Sequence, residues 1–262
     1  MLPEISGSAG HLLRAKAKKW ASLLTMICLM LPFRSAQAAD WIWGILHKAD
    51  ESRGNIEGIT WMVTVTSKSP RGVETITYGV KARGFDILAE NTAPPKYKGN
   101  KILMLNGNMW FHRPDLSKPV PISQRQRLLG NAAYGDIAST NYADDYDATL
   151  LEEESVNGEN CYLFDLHSKE KKATYDRIKY WISKSRVVGV KADYFTVSGK
   201  KFKTATMHYD GHVRVDGEVR PFISKITILD ELLSADVTTL DMKNTGFRKL
   251  PDYIFNLNLL RR

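Results

Sequence analysis

The chain has 262 residues, a formal net charge of +8 and two cysteines. Five of its basic residues and one acid lie in the first 38 positions, so the 224 residues that follow carry a formal charge of only +4 and one cysteine, Cys161. That charge is too small to mark a nucleic-acid binder, a lone thiol excludes an internal disulfide, and the length is enough to bury a sizeable core.

Arg14, Lys16, Lys18 and Lys19 precede an apolar run, Trp20–Phe33, and Ala36-Gln37-Ala38 follows it. This is the order of an export leader, with cleavage expected between Ala38 and Ala39. The run is shorter than the roughly 20 apolar residues of a spanning helix. Cys28 lies inside the run with Thr25 and Ile27 before it, which does not suit lipidation. The expected organisation is a leader, 1–38, and a single domain, 39–262.

Asp40 to Ser52 reads as a helix, with Asp40 as N-cap, Trp41, Ile45, Leu46 and Ala49 at helical spacing and Gly54 as the stop. The period then changes to two. Ile59, Trp61, Val63 and Val65 share one face of a strand and threonines the other. Ser69-Pro70-Arg71-Gly72 turns the chain into a return strand, Val73–Ala82, and Phe85–Ala89 is a third. Ile102–Leu105 and Met109–His112 flank Asn106-Gly107, a hairpin turn pair. Pro114, Pro119 and Pro121 end this meander. Short helices are expected over Ser123–Leu129 and between Tyr134 and Tyr146, in a long non-strand insertion of the kind that carries function.

Strands resume at Leu150–Val156 and Asn160–Leu166 around Asn157-Gly158, with Tyr162, Phe164 and Leu166 on one face. Arg177–Ser183, Val187–Val197, Lys201–His208, Val219–Leu229 and Val237–Leu240 follow, with turns at Ser198-Gly199-Lys200 and Asp210-Gly211. Leu250–Phe255 is expected to return Phe255 and Leu257 to the sheet or its rim. The sum is an α+β chain, mainly antiparallel, of about eleven strands with few helices.

Several chemistries fail on spacing. His208, Asp210 and His212 alternate as metal ligands on one strand would, but Asp210-Gly211 favours a turn. Cys161 lies in an apolar strand, the setting of a packing residue. Asp144, Asp145, Asp147 and Glu152–Glu154 lack the glycine and spacing of an EF-hand loop. G-x-S-x-G, H-E-x-x-H, P-loop and G-x-G-x-x-G patterns are absent from the sequence. No catalytic residue, metal or cofactor is therefore expected. Arg125 and Arg127, with Lys118 before them, are the candidates for contact with a lipid phosphate or an anionic surface.

Ile102-Leu103-Met104-Leu105, Met109-Trp110-Phe111, Pro114, Ile122-Ser123 and Arg127-Leu128-Leu129-Gly130 together resemble the outer membrane lipoprotein-sorting protein family of the LolA/LolB superfamily. So do Ala49-Asp50-Glu51-Ser52-Arg53-Gly54 after the first helix and Leu250-Pro251-Asp252 with Phe255 at the end. The resemblance covers essentially all of 39–262. It implies a strongly curved, incomplete barrel closed on its concave side by short helices. It also implies periplasmic carriage of a lipid or lipoprotein acyl chain, with a membrane lipid exporter as a possible partner. A sensor of lipidated signals with the same fold is the alternative, because the superfamily also contains a sigma-E regulatory domain; a hydrolase is a third reading. A concave apolar face needs large alternating side chains, and Trp61, Val63, Phe85, Ile87, Trp110, Phe164 and Phe222 are the candidates. Burial of an acyl chain there gains about 0.8 kcal/mol per CH₂ and needs no catalytic group.

Overall fold

The computed structural model describes residues 37–231 and 235–260. The expected leader lies outside the described residues except for Gln37 and Ala38, which open helix α1 (37–51). The described residues from Trp43 onward form one compact unit. Its strands are β1 (Ile59–Ser69), β2 (Gly72–Arg83), β3 (Asp86–Ala93), β4 (Lys101–Leu105), β5 (Asn108–His112), β6 (Val120–Ile122), β7 (Arg127–Leu129) and β8 (Ala132–Ala133). After a one-turn helix, α2 (Tyr142–Asp145), come β9 (Tyr146–Val156), β10 (Glu159–Ser168), β11 (Arg177–Ser183), β12 (Gly189–Phe195) and β13 (Lys201–His208). The last are β14 (Gly211–Val215), β15 (Glu218–Phe222), β16 (Lys225–Asp230) and β17 (Val237–Phe247).

Thirteen strands form one sheet in the order β6-β5-β4-β3-β2-β1-β17-β16-β13-β12-β11-β10-β9. Its neighbours pair antiparallel, and its two end strands do not pair with each other, so the curved sheet stays open. This is the mainly antiparallel, incomplete barrel that the resemblance implies. Tight turns fix the register where the sequence marks them: Asn106-Gly107 and Asn157-Gly158 both hold positive φ at each residue, as a two-residue hairpin requires.

The strand count exceeds the expected eleven because short strands, β6, β7, β8 and β14, form where none is expected and because the expected Val219–Leu229 breaks in two. Asp216-Gly217, also at positive φ, folds 211–222 into a separate ribbon, β14–β15. Ile223-Ser224 then separates β15 from β16. The helix expected over Ser123–Leu129 is not formed. Ser123 Oγ accepts a hydrogen bond from the Arg125 N–H at 3.2 Å, as an N-cap would, but buried Gln124 donates to the Gly107 carbonyl at 2.9 Å. That contact holds the segment down, and 127–133 becomes the small ribbon β7–β8. Between Tyr134 and Tyr146 the chain forms a 3-10 turn, Tyr134–Ile137, and α2.

Alternation gives the main sheet two different faces. On the inner face Trp61 stands opposite Val80, Val63 opposite Tyr78, Ile87 opposite Met104, and Phe164 opposite Tyr180. These eight side chains are all buried. On the outer face one row runs Thr75, Thr66, Thr239, Thr227, Thr206 across five strands, the polar side of a half-buried antiparallel sheet. The C-terminal residues cover part of that outer face, where Leu103, Leu250, Phe255 and Leu260 form an apolar cluster.

Candidate binding site on the inner face of the sheet

Three elements lie over the inner face. The C-terminal half of α1 contributes Leu46 and Ala49, both essentially inaccessible. Gly54, just after α1, sits at φ 103, where a Cβ would come within 3.0 Å of the Trp61 ring. The close approach and the left-handed backbone both require glycine there. The β14–β15 ribbon contributes Phe222, whose ring lies 5.7 Å from that of Trp61. Residues 123–146 form the third cover, through Tyr142, Ala143 and Tyr146.

Polar tethers hold this third cover. Asn55 Nδ2 donates to the Thr140 carbonyl at 2.9 Å, Ser139 Oγ to the Gly84 carbonyl at 2.9 Å, and the Ala143 N–H to Asp50 Oδ2 at 3.0 Å. Trp43 Nε1 donates to Asp144 Oδ1 at 2.9 Å. At the other end the Asn131 N–H donates to Thr238 Oγ1 at 2.8 Å, and Arg125 donates to the Ala173 carbonyl and to Asp176.

Trp61, Val63, Ile87 and Phe164 thus stand together on the inner face, as expected from the period-two pattern. Phe222 faces them from the covering ribbon and not from the sheet. Phe85 lies in the β2–β3 turn and lines a small cavity of about 20 Å³ with Arg53, Gln124 and Tyr142, room for about one water. Trp110 is corrected: it pairs with Leu103 and packs in the C-terminal apolar cluster on the outer face. The register from Met104 opposite Met109 makes this unavoidable, since adjacent residues on a strand point to opposite faces.

Arg125 and Arg127 are expected on a helix beside a cavity mouth; Arg125 stands instead in the turn 123–126 and Arg127 at the start of β7, at a rim. They line a groove of about 750 Å³ between the β7–β8 ribbon and the ends of β12 and β13, with Phe195, Val197 and Phe202 opposite them. Val197 is 86% exposed, the most exposed large apolar side chain of the described residues. Arg125 is already engaged, its Nη1 2.7 Å from Asp176 Oδ1, whereas Arg127 is exposed. A second cleft of about 460 Å³ lies between α1, the β11–β12 turn and the β14–β15 ribbon. Its arginines are matched with acids, Arg186 with Glu159 and Arg220 with Glu51 and Glu218.

Sequence reasoning missed the polar centre beneath the cover. Arg53 is 5% exposed and Asp50 fully buried. The Tyr142 ring lies under the guanidinium, 5.6 Å from its carbon, with its hydroxyl 3.5 Å from Arg53 Nη1, and the buried Tyr180, Tyr194 and Tyr209 lie within electrostatic reach. Beside them Lys203 Nζ donates to the Tyr175 hydroxyl at 3.0 Å, and that hydroxyl donates to Asp136 at 2.8 Å. Burial raises the Asp50 carboxyl to about 7, against the smaller opposing pulls of the Ala143 N–H and the Arg53 charge. The only available signal was the chemical cost of Asp50 and Arg53 sitting next to buried Ala49, which a helix end facing solvent would also satisfy.

The discounted chemistries stay apart in space. β13 ends at His208 and β14 begins at Gly211, so His208, Asp210 and His212 share no strand. Among the described residues no three His, Cys, Asp or Glu side chains gather as a metal site would need. Cys161 is buried, and burial pushes its thiol pKa up, away from the reactive thiolate.

An open, curved antiparallel sheet with a buried inner face under short covering segments defines the class of fold. A family model described as "Uncharacterized protein" matches residues 86–262. Among solved structures, a LolA superfamily protein from Nitrosomonas europaea is similar at 32% identity and a TM-score of 0.73, over 82% of this chain and 97% of that one. The chain belongs to the LolA superfamily. A domain from Vibrio parahaemolyticus named for outer membrane lipoprotein sorting shares the fold at 18% identity (TM-score 0.71, 84% of this chain and 98% of that one). A DUF1329 family protein from Desulfovibrio piger does so at 20% identity (TM-score 0.69, 86% and 98%). No curated protein matches the chain.

Proposed function

We propose that this protein is a periplasmic carrier that reversibly buries the acyl chain of a lipid or lipoprotein against the inner face of its sheet and passes it between membranes or exporter components. Residues 1–38 would act as the export leader and 39–262 as one working domain. One observation carries the reading. The large apolar inner face is covered on one side by residues 123–145, which lie between β6 and β9 and have no strand pairing with the main sheet. Their tethers are isolated hydrogen bonds, each contributing about 1 kcal/mol net. A chain of about 16 carbons that displaced this cover would gain roughly 13 kcal/mol of burial before ordering costs, enough to offset those tethers. The groove beside Arg125 and Arg127 has the 300–1,000 Å³ scale typical of ligand sites and an apolar wall of Phe195, Val197 and Phe202, which suits it as the chain's way in. Binding of this kind has no covalent step, so the reading is not an enzyme.

The test is transfer. Protein purified from the periplasm of its own cells should carry a co-purifying acyl lipid in native mass spectrometry, and should speed movement of labelled lipid between donor and acceptor vesicles. Lipid-free protein that accelerates no transfer would overturn the proposal.

A further inference from the structure

Arg53 is a buried cation without a buried anion to match it. Among the described residues no carboxylate lies within ion-pairing distance of its guanidinium, which meets the Tyr142 hydroxyl at 3.5 Å. The contrast with Lys203 is direct, since Lys203 reaches both Tyr175 and Asp136. Four further polar atoms in the same region are buried outside ordinary hydrogen-bond geometry: Asp50 Oδ1 and Thr140 Oγ1, which face each other, Tyr209 Oη, which faces Ser52, and Tyr180 Oη. Tyr180 and Tyr209 are close enough to Arg53 to feel its charge, and Asp50 feels both tyrosines and the arginine. Leaving a buried donor or acceptor unmade costs about 1–3 kcal/mol each. Native interiors tolerate few such groups, and a cluster of them calls for a reason. Each of these groups is able to donate, the hydroxyls being acceptors as well. Arg53 presents N–H groups, the tyrosines O–H groups, and Asp50, kept protonated by burial up to about 7, offers an O–H as well.

Resting on the carrier reading, we infer that the ligand of the inner face is an amphiphile with an anionic head, carboxylate or phosphate, and that Arg53 with the Tyr180 and Tyr209 hydroxyls receives that head when Tyr142 lifts with residues 123–146. The acyl chain then lies along the apolar side chains of β1–β4 and β10. The head replaces Tyr142 as the guanidinium's partner, and a charge-assisted pair of this kind is roughly twice as strong as a neutral hydrogen bond.

Matched ligands test this on the whole leaderless protein. Dodecanoate against dodecan-1-ol, and palmitoyl lysophosphatidate against monopalmitoylglycerol, hold the chain constant and change the head. Wild type is expected to bind each anion at least about tenfold more tightly than its neutral partner. Arg53→Met should abolish that preference, and Tyr180→Phe/Tyr209→Phe should reduce it several-fold with both rings kept. Equal binding of anion and neutral partner by wild type, or a preference that survives both variants, overturns the inference and leaves the carrier reading standing. Binding of no amphiphile at all overturns the carrier reading itself. Inorganic phosphate or acetate bound as tightly as the amphiphiles would make this a site for small free anions and also overturn the inference.

Discussion

Asp50 is the residue whose position has the clearest consequence for stability. Its carboxyl titrates near 3.8 when exposed and is raised to about 7 in the fold. Between those values the folded state holds a proton that the unfolded chain has lost, so stability falls as pH rises through that window. The ceiling is about 4 kcal/mol, at about 1.4 kcal/mol per pH unit. The groups around it are Arg53, Tyr180 and Tyr209, and the two tyrosines stay neutral because burial raises them. Asp50→Asn keeps the shape of the protonated side chain and should remove this contribution. In urea unfolding the variant should match wild type near and below about pH 4, exceed it increasingly up to about pH 7 and keep a constant lead above that; parallel profiles would show that Asp50 does not titrate in this window. Carboxylates paired with arginine act in the opposite sense. Asp165 and Glu159 are held low, Asp165 by Arg177 against its own burial and Glu159 by Arg186, so both proteins should lose stability below about pH 4.

At the scale of elements, the covering segment is held by contacts rather than by its own secondary structure. Gly130 turns the β7–β8 ribbon at φ 54, and a Cβ there would overlap the side chains of Ser67 and Thr238. Gly130→Val therefore combines a strained left-handed backbone with a steric clash, worth about 2–4 kcal/mol locally. Hydrogen exchange of residues 123–146 should quicken by more than tenfold, while amides of β1, β2 and β17 keep their protection. Arg125→Ala, which removes the Asp176 ion pair and the Ala173 contact at a half-exposed site, should give a smaller effect, about 1 kcal/mol, on the same amides. Uniform loss of protection across the sheet would mean the segment is part of one cooperative core and not a separable cover. The same distinction decides what could be read from the sequence. β1 and β2 are long, alternate over the buried stretch and end in glycine turns, and Asn157-Gly158 pins the β9–β10 hairpin, so local chemistry specifies them. β7, β8 and α2 are two to four residues long, too short to carry a period, and Gln124, Gly130 and Asn131 place them through partners distant in sequence. Trp110 was misplaced for a related reason: alternation tells which residues share a face, but only the pairing with Leu103 tells which face. Arg53 escaped notice because an arginine at a helix end looks solvated until four tyrosines from other elements close over it.

For the whole molecule, the sheet and its cover should respond oppositely to ligand. A ligand bound only by the folded protein stabilises it by about 2.7 kcal/mol at a concentration 100 times its Kd, and for a domain of this size that raises Tm by roughly 5–10 °C. The sheet itself supplies that gain, because its thirteen strands form one continuous antiparallel ladder whose inner face must be dry in either state. Residues 123–146 must leave that face for the chain to enter, so the amides of Ala143 and Asn131, which now donate to Asp50 and Thr238, should exchange faster in the complex than in the free protein. Raised Tm with reduced protection at these two amides is the signature expected of displacement. Raised Tm with increased protection throughout would instead place the ligand in the rim groove beside Arg127, with the cover closed and the inner face still packed as it is without ligand.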